Sequence, residues 1–341
     1  VGGYNIDALL PDAMASRPHG KLGDGINLSH LLVGSEGTLA YSSAITLKLS
    51  PLPPNKIMGV CHFPSFYEAM DAAQHITPLN PIAVELVDDT MISLAQKIDM
   101  FKPTVDAVVR GNPKSLLLVE FAEEDMNENH IRLKKLHQLM GDLGYSWNKS
   151  KKNGGVVDVI NNNIQSKVSE MRKSGLNIMM SMKDDAKPVS FIEDCAVELK
   201  DLAEYTNGLN KIFDNYNVKG TWYAHASVGC LHVRPVLNIK IQHDVEIMRN
   251  IANETSSLVK KFNGSYSGEH GDGIARSEFN EVMFGKKMIN IFKIIKNSFD
   301  PFNIFNPGKI VDAPKLDSRN LFRYAPSYNA QNIKTILDWS S

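Results

Sequence analysis

The chain has 341 residues, 43% hydrophobic and 22% charged, with 37 basic against 38 acidic side chains and a formal net charge of −1. That length accommodates about two domains, and the charge balance argues against a surface built to follow a phosphate backbone or an anionic membrane, so nucleic acid is not an expected partner. No run approaches the ~18 apolar residues of a membrane span, which limits any membrane contact to a peripheral one.

Residues 1–54 are glycine-rich and irregular up to Tyr41–Leu49, whose alternation and β-branched residues predict a strand ended by Pro51, Pro53 and Pro54. The proline cluster is the sharpest domain boundary in the chain. Beyond it KIMGVCHF predicts a strand, SFYEAMDAAQHI a helix opened by Ser65, IAVELVDD a strand, DTMISLAQKI a helix and SLLLVEFA a strand. NENHIRLKKLHQLMGDLG predicts an amphipathic helix stopped by Gly141 or Gly144, and residues 151–171 are polar and asparagine-rich with one helical stretch. A second round follows: PVSFIEDCAVE as a strand, LKDLAEYTNGLNKIFDNY as a helix, TWYAHAS and GCLHVRPVLN as strands, HDVEIMRNIANETSSLVKKFN as a long helix, and EVMFGKKMINIFKIIKNSF as another. From Pro314 the chain reads as a tail or linker with one short apolar helix at its end. This alternation, with mixed connections, predicts an α+β fold with a helix-covered, largely antiparallel sheet.

Cys61, Cys195 and Cys230 are the only cysteines and form no CxxC pair, so these residues supply no four-thiolate iron–sulfur cluster, and the chain reads as intracellular. It begins at Val1 without a basic segment ahead of an apolar one; no signal or transit peptide is predicted, and a piece of a longer protein is expected. His225 and His232 are seven apart in YAHASVGCLHVRP. On one unbroken strand they would face opposite ways, whereas a turn at Ser227–Gly229 would let them converge. His270 follows Glu269 in GSYSGEHGDGIARS, where the surrounding glycines suggest a sharply bent backbone closely approached by something bulky. Adjacent side chains diverge, so the two are expected to do separate jobs. Two histidines and a carboxylate form a recurrent divalent-metal set, although paired strand histidines are also common as hydrogen-bonded structural residues, and both readings stay open on spacing alone. GSEGTL at 34–39 could offer N–H groups to a phosphate or heterocycle, Arg172 could clamp an anion or be a solvated helix charge, and Asn306 in NPGKI reads as a turn or packing residue. HExxH, GxxxxGK[ST] and GxGxxG are absent, and GSYSG carries Tyr266 where a hydrolase elbow places serine.

GYNIDALL, LLVGSEGTL, HASVGCLH, SGEHGDG and DPFNIFNPGKI occur in this order. With them the chain, over residues 1 to about 312, resembles the FAD-linked oxidases and dehydrogenases of the vanillyl-alcohol-oxidase type. Within these it is most similar to the D-2-hydroxyacid (D-lactate or D-2-hydroxyglutarate) dehydrogenases, and to the large bacterial forms with an iron–sulfur region after the flavin part. The resemblance implies that residues 1–54 are the C-terminal part of an FAD-binding α+β domain and residues 55–299 a substrate or cap domain with a large antiparallel sheet covered by helices. Residues 300–313 would return to the flavin domain, and residues 314–341 would form a tail or linker toward a missing C-terminal 4Fe–4S region, the chain being cut at both ends. Carried over residue by residue, Gly34, Ser35, Glu36, Gly37, Thr38 and Asn306 would contact FAD, His225, His232 and Glu269 would bind a divalent metal such as zinc, and His270 would be the general base. Arg172 would hold the substrate carboxylate, with Lys187 as a further candidate for the same role. The family pattern H-x-G-D-G-N-x-H is altered here to Ala226-Ser227-Val228-Gly229-Cys230-Leu231 between the histidines, and Arg234 stands where relatives often carry asparagine. Arg234 would bind a second substrate carboxylate or pair with a nearby acid. The implied reaction is oxidation of a small 2-hydroxyacid to the 2-oxoacid by hydride transfer to FAD, with electrons passing to an iron–sulfur relay or quinone outside this chain. The expected setting is cytoplasmic or peripheral to the inner membrane, with a homodimer left open. The alternatives are an inactive substrate- or metal-binding module with an incomplete flavin site, and a metal-dependent hydrolase using the same His/His/Glu set.

Overall fold

A computed structural model describes residues 2–10, 27–147, 152–180, 182, 184–325, 328, 336 and 337. Its strands are β1 (Ile57–Phe63), β2 (Ala83–Asp88), β3 (Ser115–Phe121), β4 (Tyr145–Ser146), β5 (Lys152–Asn153), β6 (Gly155–Val159), β7 (Lys187–Pro188), β8 (Cys195–Ala196), β9 (Gly220–His225) and β10 (Cys230–Leu237). The α-helices are α1 (Ser29–Leu32), α2 (Phe66–Ile76), α3 (Asp89–Ala95), α4 (Lys102–Val108), α5 (Met126–Asp142), α6 (Asn162–Lys173), α7 (Gly175–Met180), α8 (Leu202–Asn215), α9 (Gln242–Lys261), α10 (Gly273–Arg276) and α11 (Asn280–Phe299). No described helix is long and apolar enough to cross a membrane.

Local chemistry starts several of these helices. Ser65 accepts the Glu68 N–H at 3.2 Å while its hydroxyl donates to the Glu68 carboxylate at 2.8 Å, a reciprocal cap on α2. Asp88 accepts the Met91 N–H at 2.8 Å to cap α3, and its other oxygen takes the Trp222 N–H of β9 at 3.2 Å, which ties the helix start to the sheet.

The sheet runs β6-β1-β3-β2-β9-β10-β7, with β8 also on β10 and every pairing antiparallel. Because side chains alternate along a strand, the sheet has two distinct faces. One carries Cys61, Phe63, Leu86, Leu117, Val119, Ala224 and Leu231 into the core beneath α2, α5, α8 and α9. The other carries Val60, Val87, Leu116, Leu118 and Val157 beneath α3, α4, α6 and α7. On that second face the apolar pattern stops at β9 and β10, where Tyr223, His225, His232 and Arg234 replace it. A third cluster, from Tyr4, Leu31, Leu39, Phe292, Ile310 and Val311, joins the N-terminal segments to α11 and the return segment.

The α+β class and the antiparallel sheet agree with the sequence reading, but individual elements differ. Tyr41–Leu49 forms no strand, because nothing described lies alongside to complete its ladder; Ile45, Leu47 and Leu49 are 71%, 75% and 86% exposed. The strand expected over PVSFIEDCAVE is broken into β7 and β8 by a turn in which Asp194 adopts φ +81°. β6, α4 and α7 were not anticipated as separate elements, and the helix expected at the chain end falls where only residues 336 and 337 are described.

His62 on β1 illustrates a titration built into the fold. Its Nε2 accepts the Arg110 N–H at 3.0 Å, leaving the proton on Nδ1, which lies 2.9 Å from the Val60 carbonyl. Burial pushes its pKa down from 6.5 to about 4. The unfolded chain therefore binds this proton more readily, so the contribution is present above pH 6.5 and is lost as pH falls toward 4. At pH 5 the loss amounts to about 2 kcal/mol. The unfolding free energy from urea titration is expected to fall by that amount more in the wild type than in His62→Gln between pH 7 and pH 5, and an identical pH dependence in both would contradict this.

Candidate active site

The β9–β10 hairpin builds the centre. His225 ends β9, Ala226–Val228 form a 3-10 turn, Gly229 reverses the chain at φ +67°, and Cys230 opens β10 opposite His225. His232 then pairs with Tyr223, on the same face as His225, so the turn absorbs the odd spacing and the two rings meet edge to face at 4.9 Å. Only glycine fits the reversal, since a Cβ at Gly229 would lie 2.0 Å from the Val197 carbonyl oxygen. Gly229→Ala is expected to cost on the order of 3 kcal/mol, read as a fall in thermal midpoint; an unchanged midpoint would contradict the hairpin's role.

A loop after α9 completes the cluster. Glu269 Oε1 lies 3.3 Å from His225 Nε2, 3.1 Å from His232 Nε2 and 3.4 Å from His270 Nε2, and the His270 ring stacks on His232 with centroids 4.9 Å apart. Glu269 and His270, expected to diverge, both turn inward. Behind His225 stands Glu85 of β2, whose carboxylate oxygens are 3.0 and 2.9 Å from Nδ1. A neutral ring therefore keeps its proton on Nδ1 and leaves the Nε2 lone pair toward Glu269. The same carboxylate raises the His225 pKa. Arg172, at the end of α6, reaches Glu85 at 2.5 Å and His225 Nδ1 at 3.2 Å, so it joins this cluster rather than standing as a solvated helix charge.

His232 is 1% exposed, and neither ring nitrogen makes a well-aligned hydrogen bond among the described residues, although carboxylates face both, Glu193 at 3.4 Å from Nδ1 and Glu269 at 3.1 Å from Nε2. A buried polar ring left in that state is costly unless something else uses its lone pair. The separations of 3.1–3.4 Å between Glu269 and the histidine nitrogens supply the reason. A tetrahedral site with bonds of ~2.0–2.1 Å has edges of ~3.3–3.4 Å, and two imidazoles with a carboxylate are a common divalent-cation donor set. His232, Glu269 and His270, with Asp194, present ligand atoms within 4.8 Å of one another, and His225 Nε2 faces the same Glu269 oxygen at 3.3 Å, so the chemistry of this donor set suits a divalent cation.

Arg234 pairs with an acid: its Nε and a terminal nitrogen donate to Glu193 at 2.6 and 2.5 Å, and Tyr223 donates to Glu193 at 3.0 Å. Burial opposes the charge on Glu193, yet His232, Arg234 and Ser190 around it hold its carboxyl well below the usual carboxylate range. Burial also pushes the Tyr223 phenol up to about 12. Lys187 is not brought to the cluster. It sits opposite Leu237, whose side chain belongs to the other face of the sheet, and its ammonium donates to the Met182 carbonyl.

Residues 34–38 lie against the same loop from the far side. The Glu36 carboxylate accepts the N–H groups of Asp272 and Gly273 at 2.5 and 2.8 Å, Asn306 Nδ2 donates to the Glu36 carbonyl at 2.6 Å, and Lys296 donates to the Thr38 carbonyl at 2.7 Å. Ser35 and Thr38 turn their hydroxyls inward, to the carbonyls of Leu32 and Ser35. The N–H groups of Glu36 and Gly37 have no partner among the described residues, and the space beside Gly37 is open. A heterocycle or phosphate would therefore meet backbone here, so the loop fits a flavin cofactor through N–H groups rather than hydroxyls.

Glu85, Glu193, Asp194, Tyr223 and Arg276 escape a sequence reading because only strand register and loop closure bring them to the histidines. The EDC string and the period-two spacing of Tyr223 and His225 were the available signals.

Solved structures with this fold include the 4-ethylphenol oxidase of Gulosibacter chungangensis, with a TM-score of 0.54 and 13% identity over 79% of this chain and 56% of that one. p-Cresol methylhydroxylase matches with a TM-score of 0.54 and 12% identity over 76% of this chain and 54% of that one. At the level of fold, the molecule shares the architecture of these oxidases. The family described as FAD linked oxidases, C-terminal domain, matches residues 52–310, and the chain belongs to it. Its relatives include the D-2-hydroxyglutarate dehydrogenase of Pantoea ananatis, 30% identical over 90% of this chain and 29% of that protein. The enzyme of that name from Escherichia coli is 29% identical over 93% and 30%, and the probable mitochondrial D-lactate dehydrogenase of Danio rerio is 25% identical over 92% and 61%. The chain spans less than a third of the length of the first two.

Proposed function

We propose that this chain is the substrate-handling part of an FAD-linked dehydrogenase that oxidises a D-2-hydroxyacid, of the D-2-hydroxyglutarate or D-lactate kind, to the 2-oxoacid. The observation that carries the reading is the convergence of three histidine Nε2 atoms on Glu269 Oε1, on a loop whose next residues are held by Glu36. The relatives' names support the substrate class.

Oxidation at C2 removes the proton of its hydroxyl and a hydride from C2 itself. FAD, when bound, supplies the hydride acceptor. A divalent cation held by His225, His232 and Glu269 would supply charge that lowers the hydroxyl pKa. His270 takes the hydroxyl proton on Nε2, beside Glu269, a role worth ~10²–10⁴ in rate for a positioned base. Glu85 keeps His225 in the tautomer that presents Nε2, and Arg172, tethered to Glu85, orients the substrate carboxylate. Electrons leave for an acceptor outside these residues.

Anaerobic mixing of the flavin-loaded protein with D- and L-2-hydroxyacids tests this. Bleaching of the flavin band with stoichiometric 2-oxoacid from the D enantiomer alone is expected. No bleaching by any 2-hydroxyacid, with cation still bound, would leave a metal-binding module in its place.

A further inference from the structure

We propose that Asp194 is a positioning residue that, with Arg276, pre-sets Glu269 for the cation and His270 for the substrate proton without itself being a ligand. The proposal rests on the reading of His225, His232 and Glu269 as the cation site.

Asp194 is fully buried, in the left-handed turn between β7 and β8 at φ +81°. Its own N–H donates to the Leu231 carbonyl at 2.7 Å, which fastens it beside His232 on β10. From there it gathers the N–H groups of consecutive loop residues: Gly268 donates to its carbonyl at 2.7 Å, Glu269 to Oδ1 at 2.9 Å and His270 to Oδ2 at 2.8 Å. The Ser267 hydroxyl reaches Oδ2 at 3.1 Å and the Cys230 thiol Oδ1 at 3.3 Å. A carboxylate offers about four lone-pair positions, and all are taken. Asp194 therefore lies within 4.8 Å of the ligating atoms of His232, Glu269 and His270 yet has nothing left for a cation.

Arg276 holds the other end. Its Nε and one terminal nitrogen donate to the Gly271 carbonyl at 2.9 and 2.7 Å, and its other terminal nitrogen to the Glu193 carbonyl at 3.0 Å. A buried anion thus takes the loop's N–H groups and a buried cation its next carbonyl, both anchored to residues 193 and 194. Such charge-assisted bonds are about twice as strong as neutral ones. The Glu269 and His270 side chains are 45% and 39% exposed; packing alone does not fix them, so the backbone clamp must.

Cobalt(II) titration of the chain, followed by its visible absorption, distinguishes the possibilities. Asp194→Asn keeps the shape but replaces one acceptor with a donor facing N–H groups. Its cobalt affinity is expected to fall 10–100-fold, the usual loss for a residue that orients a ligand, while the band at saturation keeps its wild-type position and intensity. A changed band at saturation would make Asp194 a ligand and overturn the proposal. So would unchanged affinity, including the case where only the thermal midpoint falls. Should Asp194→Asn not fold, Ser267→Ala removes one donor and is expected to weaken binding about 3-fold with the same band; unchanged affinity there overturns the proposal too. A wild type that takes up no cobalt sinks the cation site itself, and the clamp with it, which separates that failure from a failure of the clamp alone.

Discussion

His270→Ala is expected to slow reduction of the flavin by about 10²–10⁴-fold, the range for loss of a positioned base, while leaving flavin and cation content intact. The selectivity follows from how the residue is held. Its backbone N–H belongs to the Asp194 clamp, which the substitution does not touch, and its ring stacks on His232 without being one of the three proposed ligands. Alanine therefore removes the proton acceptor and little else. Anaerobic stopped-flow at the flavin band is the measurement, with D-2-hydroxyglutarate and D-lactate as substrates. A rate within tenfold of wild type would move the base elsewhere.

His232→Ala is expected to act one step earlier, on the cation. A four-ligand zinc site gains ~10–16 kcal/mol from binding, or ~3 kcal/mol per ligand, so loss of one of three protein ligands should weaken binding by at least about 100-fold. The buried setting makes this variant informative in a second way. His232 is almost fully buried, stacked between Tyr223 and His270 and close to the buried Glu193 carboxylate, so removing the ring leaves a cavity and the metal-free protein should itself lose about 2–3 kcal/mol. Titration with zinc against a chromophoric chelator, alongside thermal unfolding in chelator, reads both. Undiminished affinity would return His232 to a structural role beside Glu193.

His225, His232, Glu269 and His270, singled out in the sequence, come together in the structure because their motifs are local. The bend between His225 and His232 is written in Gly229, and SGEHGDG carries Glu269 and His270 in one tight loop. What escaped the sequence reading depends on distant pairing. Glu85 reaches His225 only because β2 lies beside β9 in the sheet, a neighbour relation invisible in either strand alone. Arg234 was open between a substrate carboxylate and an internal acid, and the turn that breaks PVSFIEDCAVE places Glu193 where it takes the guanidinium. That turn also explains the misread strand: Asp194 leaves the ladder to hold the loop. Tyr41–Leu49 failed for the opposite reason, a strand pattern with no partner beside it among the described residues.

The most direct test of the central claim is single-turnover flavin reduction by a D-2-hydroxyacid in chelator-stripped and metal-restored protein, with cation content measured in each. The expected result is one divalent cation per chain in the active form, reduction lost on stripping and recovered on restoration, with flavin retained throughout. Full-rate reduction in protein shown to hold no cation would contradict the account of His225, His232 and Glu269.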